Sequence, residues 1–236
     1  WLIAHDRDPL SPEAAQGFTT LAARRAQGEP IAYLLGQKEF FGLTLNVGPG
    51  VLVPRPDTET LVEWALELIP PGQPWRVLDL GTGSGAIALA LQSRRPKALV
   101  TAVDASPAAL AIARANAERL RLPVRFLQGS WLTPLADEVF DLIVSNPPYI
   151  AEGDAHLPAL RFEPIEALTA GPDGLADLRD IVVQARRHLT PGGWLLLEHG
   201  YDQAIAVQGL FAQGGWRHVA SRQDLAGHDR CTGASA

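Results

Sequence analysis

From residue 76 onward, short apolar runs alternate with stretches whose apolar positions recur every three to four residues. The runs at 76–80, 99–104, 124–128, 141–145 and 194–199 are apolar on both alternating faces, as strands buried inside a parallel sheet must be. Between them, residues 85–94, 106–120, 175–189 and 203–213 carry the helical spacing. This alternation predicts an α/β fold with helices on both faces of the sheet. The runs at 216–221 and near Cys231 are separated only by residues 223–229, so a terminal antiparallel hairpin is expected.

The first part of the chain has another texture. Residues 10–35 read as helical, with Ser11 as cap and Pro12 in the first turn, broken by Gly28-Glu29-Pro30 before a short helix at 31–35. Residues 39–47 alternate and are rich in β-formers. Gly48-Pro49-Gly50 reads as a turn and Val51-Leu52-Val53 as a second strand, which predicts a hairpin. A helix is expected over 57–68, then a break over 70–74. The chain thus divides into a helical segment (1–36), a hairpin linker (37–56) and an α/β domain (57–236).

Composition narrows the function class. The 236 residues are 47% apolar and 19% charged, enough to bury a core. The net charge of −6 argues against a protein that grips nucleic acid through phosphates. The basic residues Arg24, Arg25, Arg94, Arg95, Lys97, Arg186 and Arg187 read as solvated helix ends. One cysteine, Cys231, allows no internal disulfide and suits a reducing, cytoplasmic setting. Apolar runs are shorter than the roughly 20 residues a membrane span needs, so no membrane partner is expected. The chain has no methionine, and Trp1 is expected to be an internal residue of a longer protein.

The first candidate chemistry lies at the end of the run 76–80. Asp79 and Leu80 precede Gly81-Thr82-Gly83-Ser84-Gly85, followed by a helical stretch. A strand, a glycine-rich turn and a helix start form the place where open α/β sheets bind nucleotides. The spacing Gly-x-Gly-x-Gly differs from the Gly-x-Gly-x-x-Gly that seats a pyrophosphate. Asp79 would oppose a phosphate but suits a cationic ligand, and S-adenosyl-L-methionine carries an ammonium and a sulfonium. Asp104, ending the second strand, is placed to accept both ribose hydroxyls.

The second candidate follows the fourth strand: Asn146-Pro147-Pro148-Tyr149. Two prolines stiffen the loop and remove two N–H donors. A nitrogen conjugated to a carbonyl or an aromatic ring attacks poorly. If the Asn146 side-chain oxygen and the Pro147 carbonyl accept its two hydrogens, its lone pair is aimed at the donor's methyl group. Tyr149 offers a ring face to the planar group. No metal is called for.

Together these motifs resemble class I amino-methyltransferases. The stretch 24–63 resembles the release-factor glutamine methyltransferases in Gly28, Pro30, Tyr33, Leu34, Glu39, Phe40, Gly42, Pro54, Arg55, Pro56, Thr58 and Glu59, with Asp57 for the usual Glu. Arg161-Phe162-Glu163-Pro164, Gly174-Leu175 and Asp224-Leu225-Ala226-Gly227 are similar to the same family. The resemblance implies a Rossmann-like, mostly parallel seven-stranded sheet with a terminal antiparallel hairpin. It also implies a linking β-hairpin and a small helical N-terminal domain, of which 1–36 is a remnant, that contacts the protein substrate.

It further implies S-adenosyl-L-methionine as donor and the glutamine of the release factors' Gly-Gly-Gln motif as acceptor. Trp131 is carried over to the adenine and Asn146 to the methyl donor. At Ser130 the chain departs from the acid common in the family, which puts that position's hydrogen bond to the adenine amine in question. The hairpin is expected to cover the transfer site with Phe40 or Phe41 facing inward. The alternatives are a glutamine methyltransferase of a ribosomal protein, an adenine-specific DNA methyltransferase, and a binding module that keeps the pocket without catalysis.

Overall fold

The computed structural model describes residues 2–236, so the expectation about Trp1 lies outside the described residues. Helix α1 (Pro12–Ala26) starts where Ser11 Oγ accepts the Ala14 N–H at 3.2 Å, and α2 (Ile31–Leu35) follows the Gly28–Pro30 break. The hairpin that comes next is shorter than the alternating pattern suggests. Strands β1 (Gln37–Phe40) and β2 (Leu43–Asn46) pair antiparallel around Phe41 and Gly42, both at positive φ. Such a two-residue turn matches the twist of its flanking strands.

The second strand expected at 51–53 is therefore not formed. Residues 47–55 instead run as an irregular strap whose Val51 and Val53 are buried, leading into the short turn Pro56–Thr58 and α3 (Glu59–Leu68).

The main sheet follows the apolar pattern closely. Its parallel strands are β3 (Arg76–Leu80), β4 (Leu99–Asp104), β5 (Arg125–Gln128), β6 (Phe140–Ser145) and β7 (Leu189–Glu198), and its antiparallel pair is β8 (Arg217–Gln223) and β9 (Asp229–Ser235). The helices between them are α4 (Ala86–Arg94), α5 (Pro107–Leu120), α6 (Ala176–Ala185) and α7 (Ala204–Gln213). The order β5-β4-β3-β6-β7-β9-β8 reverses direction at β3. The crevice beyond the carboxyl ends of β3, β4 and β6 is thus the switch point where such sheets bind ligands.

Alternation along the strands builds two cores. Val77, Leu142, Val144 and Leu196 face α3, α4 and the hairpin, while Leu78, Leu80, Ile143, Leu195 and Leu197 face α6 and α7.

Candidate active site

At the switch point lies a cavity of about 700 Å³. One side is made by the loop between β3 and α4, with Gly81, Thr82, Gly83 and Ser84 on its wall. Gly83 stands at φ +54° and has no atom within 4 Å of where a Cβ would be, so its backbone leaves open space on that side. Asp79 sits beneath this loop, fully buried and off the cavity wall. Its Oδ2 accepts from Thr82 Oγ1 at 2.6 Å and from Ala88 N at 3.2 Å, tying the loop to the start of α4. Its Oδ1 is buried without a partner, and burial pushes the carboxyl up to about 7.

Asp104 closes the same side from the end of β4. One carboxylate oxygen accepts the Gly83 N–H at 2.8 Å and the other the Ser106 N–H at 2.9 Å, which leaves acceptor capacity on both. The Trp131 ring lies against Gly81, on a residue with φ +47°. Asp177 of α6 reaches the wall beside it and hydrogen-bonds Trp131. Burial raises the Asp177 carboxyl against the pull of that bond. A large cavity floored by open glycine backbone, with a carboxylate and an indole on its walls, fits a nucleoside-bearing cation.

The opposite side is assembled from distant segments. Asn146 and Pro148 reach the wall after β6, Thr58 reaches it from the turn before α3, and Gly50, Val51, Leu52, Pro54 and Arg55 reach it from the strap, which also packs on Ala108 and Ala109 of α5. Glu163 holds the strap down. Its carboxylate accepts the Val53 N–H at 2.9 Å and pairs with Arg55 Nη2 at 2.5 Å, and the Tyr33 hydroxyl bonds the Val51 carbonyl. Glu59 accepts the Phe41 N–H at 3.0 Å and so fixes the hairpin turn to the head of α3.

Behind Asn146 runs a polar cluster. Asn146 Nδ2 donates to Thr58 Oγ1 at 3.3 Å, and the Tyr149 hydroxyl donates to Glu198 Oε1 at 3.4 Å. Glu198, at the end of β7, is buried and pushed up to about 7 by burial, with the Thr58 hydroxyl and the Arg230 charge drawing it back down. Burial and the neighbouring Glu198 likewise raise the Tyr149 phenol. The Tyr149 backbone is fixed from the rear. Gln203 Nε2 donates to its carbonyl at 2.9 Å, and Gly174 packs so close to that oxygen that a Cβ would collide with it.

Comparison with known proteins decides the family. Residues 58–162 match the family model described as methyltransferase small domain, and residues 1–36 match the PrmC N-terminal domain. The release factor glutamine methyltransferase of Bordetella pertussis is 54% identical over 99% of this chain and 87% of its own. That of Escherichia coli is 47% identical over 98% of this chain and 84% of its own. The chain belongs to the release factor glutamine methyltransferase family. A methyltransferase from Pyrococcus furiosus shares the fold, with a TM-score of 0.64 at 23% identity, covering 92% of this chain and 98% of that one.

Set against the expectations, this member of the release factor glutamine methyltransferase family brings Gly81, Thr82, Gly83, Ser84, Asp104, Trp131, Asn146 and Pro148 to one cavity. It does not bring Asp79, Gly85, Pro147 or Tyr149 to the wall. Asp79 supports the loop, Gly85 packs against Leu89 and Ala113, Pro147 is buried, and Tyr149 turns its hydroxyl toward Glu198. Neither Phe40 nor Phe41 lines the cavity. Phe40 is buried in the core between hairpin and sheet, and Phe41 lies under the Arg94 guanidinium. The strap after the hairpin does the covering instead.

Sequence reading missed Thr58, Asp177 and Glu198. Thr58 stood inside the matched stretch 54–59, whose prolines signalled a fixed turn beside something. Glu198 gave a weaker signal, a carboxylate ending an apolar strand run (Leu195-Leu196-Leu197-Glu198) as Asp104 does, which does not by itself tell a buried acid from a solvated one.

Proposed function

We propose that the chain transfers the methyl group of S-adenosyl-L-methionine to the side-chain amide nitrogen of the glutamine in the Gly-Gly-Gln motif of peptide-chain release factors, leaving S-adenosyl-L-homocysteine. The observation that carries this reading is the placement of Asn146 on the cavity that also holds Asp104 and the glycine loop, in a chain of this family. The donor supplies an electrophilic methyl group. Asp104 accepts the ribose hydroxyls, Trp131 packs on the adenine, and Gly81, Thr82, Gly83 and Ser84 form the bed, which Asp79 and Gly85 hold in shape from behind. Each charge-assisted bond from Asp104 is worth roughly 1.5–3 kcal/mol.

On the acceptor side, Asn146 Oδ1 and the Pro147 carbonyl take the two N–H hydrogens and align the nitrogen, with Pro148 on the wall of the slot and Tyr149 supporting the loop from behind. Alignment of this kind, rather than a base, lowers the barrier. The N–C bond forms as the S–C bond breaks, and the methylated amide then loses its extra proton to water. The same slot chemistry would serve an adenine amine, but a net charge of −6 is poorly suited to holding DNA. Among the described residues no helix is long and apolar enough to cross a membrane.

Mass spectrometry of a recombinant release factor after incubation with enzyme and donor tests the reading. One added methyl on the Gly-Gly-Gln glutamine is expected. An unmodified release factor beside a methylated ribosomal protein or DNA would replace it.

A further inference from the structure

The polar cluster behind Asn146 is not needed to bind donor, and none of the motif reasoning uses it. Three of its members come from places far apart in the chain: Thr58 before α3, Tyr149 after β6 and Glu198 at the end of β7. Glu198 is 1% exposed and its Oε2 has no close partner, a costly arrangement for a carboxylate that serves only packing. A hydrophobic residue would fill the same space at less cost.

We propose that Thr58 and Glu198 are positioning residues for methyl transfer, holding the Asn146 amide with Nδ2 turned into the protein and Oδ1 left for the substrate NH₂. The inference rests on the reading of Asn146 given above. The argument is one of hydrogen-bond direction. A threonine hydroxyl has one proton to give and can also accept. The Thr58 hydroxyl lies close enough to the Glu198 carboxylate to draw its proton affinity down, which turns the hydroxyl hydrogen that way, and the Thr58 oxygen takes the Asn146 Nδ2–H at 3.3 Å. An amide pinned through its nitrogen must present its oxygen the other way. The same carboxylate accepts the Tyr149 hydroxyl, so one buried acid stands behind both ends of the Asn146-to-Tyr149 loop.

The arrangement has a consequence in pH. A protonated Glu198 would offer a hydrogen to Thr58 and reverse the chain, allowing Asn146 to turn its NH₂ toward the cavity, donor against donor. The charged and titratable groups around Glu198 are Asp57 beside Thr58, Tyr149, and on β9 Arg230 and Cys231, with His199 next along β7. Arg230 is paired with Asp224 and Asp57, burial holds the Cys231 and Tyr149 protons on, and burial keeps His199 neutral. Glu198 is thus the member of the cluster whose charge changes near neutrality. The methyl-transfer rate should rise as pH passes through that region.

Single-turnover methylation of a release factor at saturating donor tests this, with donor affinity measured alongside. Thr58→Val keeps the side-chain shape and should slow transfer at least about tenfold without changing donor affinity, while Thr58→Ser should stay within about threefold of the parent. Because Thr58 acts through Asn146, adding Thr58→Val to Asn146→Ala should cost nothing further. Glu198→Gln should flatten the rise in rate between about pH 6 and 8. A full rate in Thr58→Val, a loss that adds to that of Asn146→Ala, or an unchanged pH rise in Glu198→Gln would each overturn the proposal. If Asn146→Ala itself kept its rate, the underlying reading of Asn146 would fail instead, which separates the two.

Discussion

The two sides of the cavity are built in opposite ways. The side we assign to the donor is mostly local: Asp79, the glycine loop and Asp104 lie within one βαβ unit, with Trp131 and Asp177 added from further along the chain, and their bonds join Asp79 to Thr82 and Ala88 and Asp104 to Gly83 and Ser106. The acceptor side is a meeting of strangers. Asn146 meets Thr58 from 88 residues away, Tyr149 meets Glu198 across 49, and Glu163 fixes Val53 from 110. A donor common to many methyltransferases can be held by one compact motif on a rigid turn. An acceptor slot that must align a weak nucleophile needs walls from several directions, and only the folded chain brings these together.

If this division is correct, substitutions on the two sides should fail in different measurements. The largest effect is expected from Asn146→Ala. Losing a preorganised polar contact at the reacting atom should lower the single-turnover rate about a hundred- to a thousandfold and leave donor affinity near that of the parent. Loss of donor binding as well would mean that the two sides are not separate.

The mirror experiment is Asp104→Ala, expected to weaken S-adenosyl-L-methionine about ten- to a hundredfold in titration calorimetry, with the rate at saturating donor largely kept. Gly83→Ala sharpens it. The new Cβ meets no protein atom within 4 Å, and the strain of alanine at φ +54°, about 1–2 kcal/mol, should leave the chain folded, yet the methyl would occupy the donor's bed and its binding should drop. Unchanged affinity in both variants would place the donor elsewhere.

A third prediction concerns the strap. Glu163→Ala leaves the Val53 N–H and the Arg55 guanidinium without their partner, so thermal unfolding should show a loss of about 1–3 kcal/mol. Because the strap leads into Thr58, the partner of Asn146, transfer should slow more than donor affinity falls. An equal loss on both would show that the strap serves the whole cavity.

The smallest effect is a slope. Asp79 and Glu198 are both pushed up to about 7 by burial, so each binds its proton more tightly folded than unfolded. Their contribution to stability is fully present below the ordinary carboxylate range and is lost as pH rises through about 7. The melting temperature of the donor-free protein should therefore decline over that interval. Asp79→Asn and Glu198→Gln should each flatten the decline, and a parent curve that is flat or rising would contradict the two assignments.

What the sequence determined by itself is what short-range patterns encode. Five parallel strands, four helices and the closing hairpin follow from apolar periodicity, although β5, expected to be buried, is a half-exposed edge strand because no strand covers its outer side. The Ser11 cap is local chemistry, and so are the Gly81-to-Gly85 turn and the acid ending β4. Even the one misplaced strand has a local reason: the Phe41-Gly42 turn closes the hairpin before the Gly48-Pro49-Gly50 segment can.

Only the tertiary structure decided what lies across the cavity. Nothing within a few residues of Thr58 marks it as the partner of Asn146. Nothing near Arg55 points to Glu163, and Glu198 reads as the polar end of a strand until the fold buries it against Tyr149. Periodicity records which face of an element is buried, because burial is set by solvent. It does not record which distant polar group waits there, because that depends on how whole elements are placed against one another.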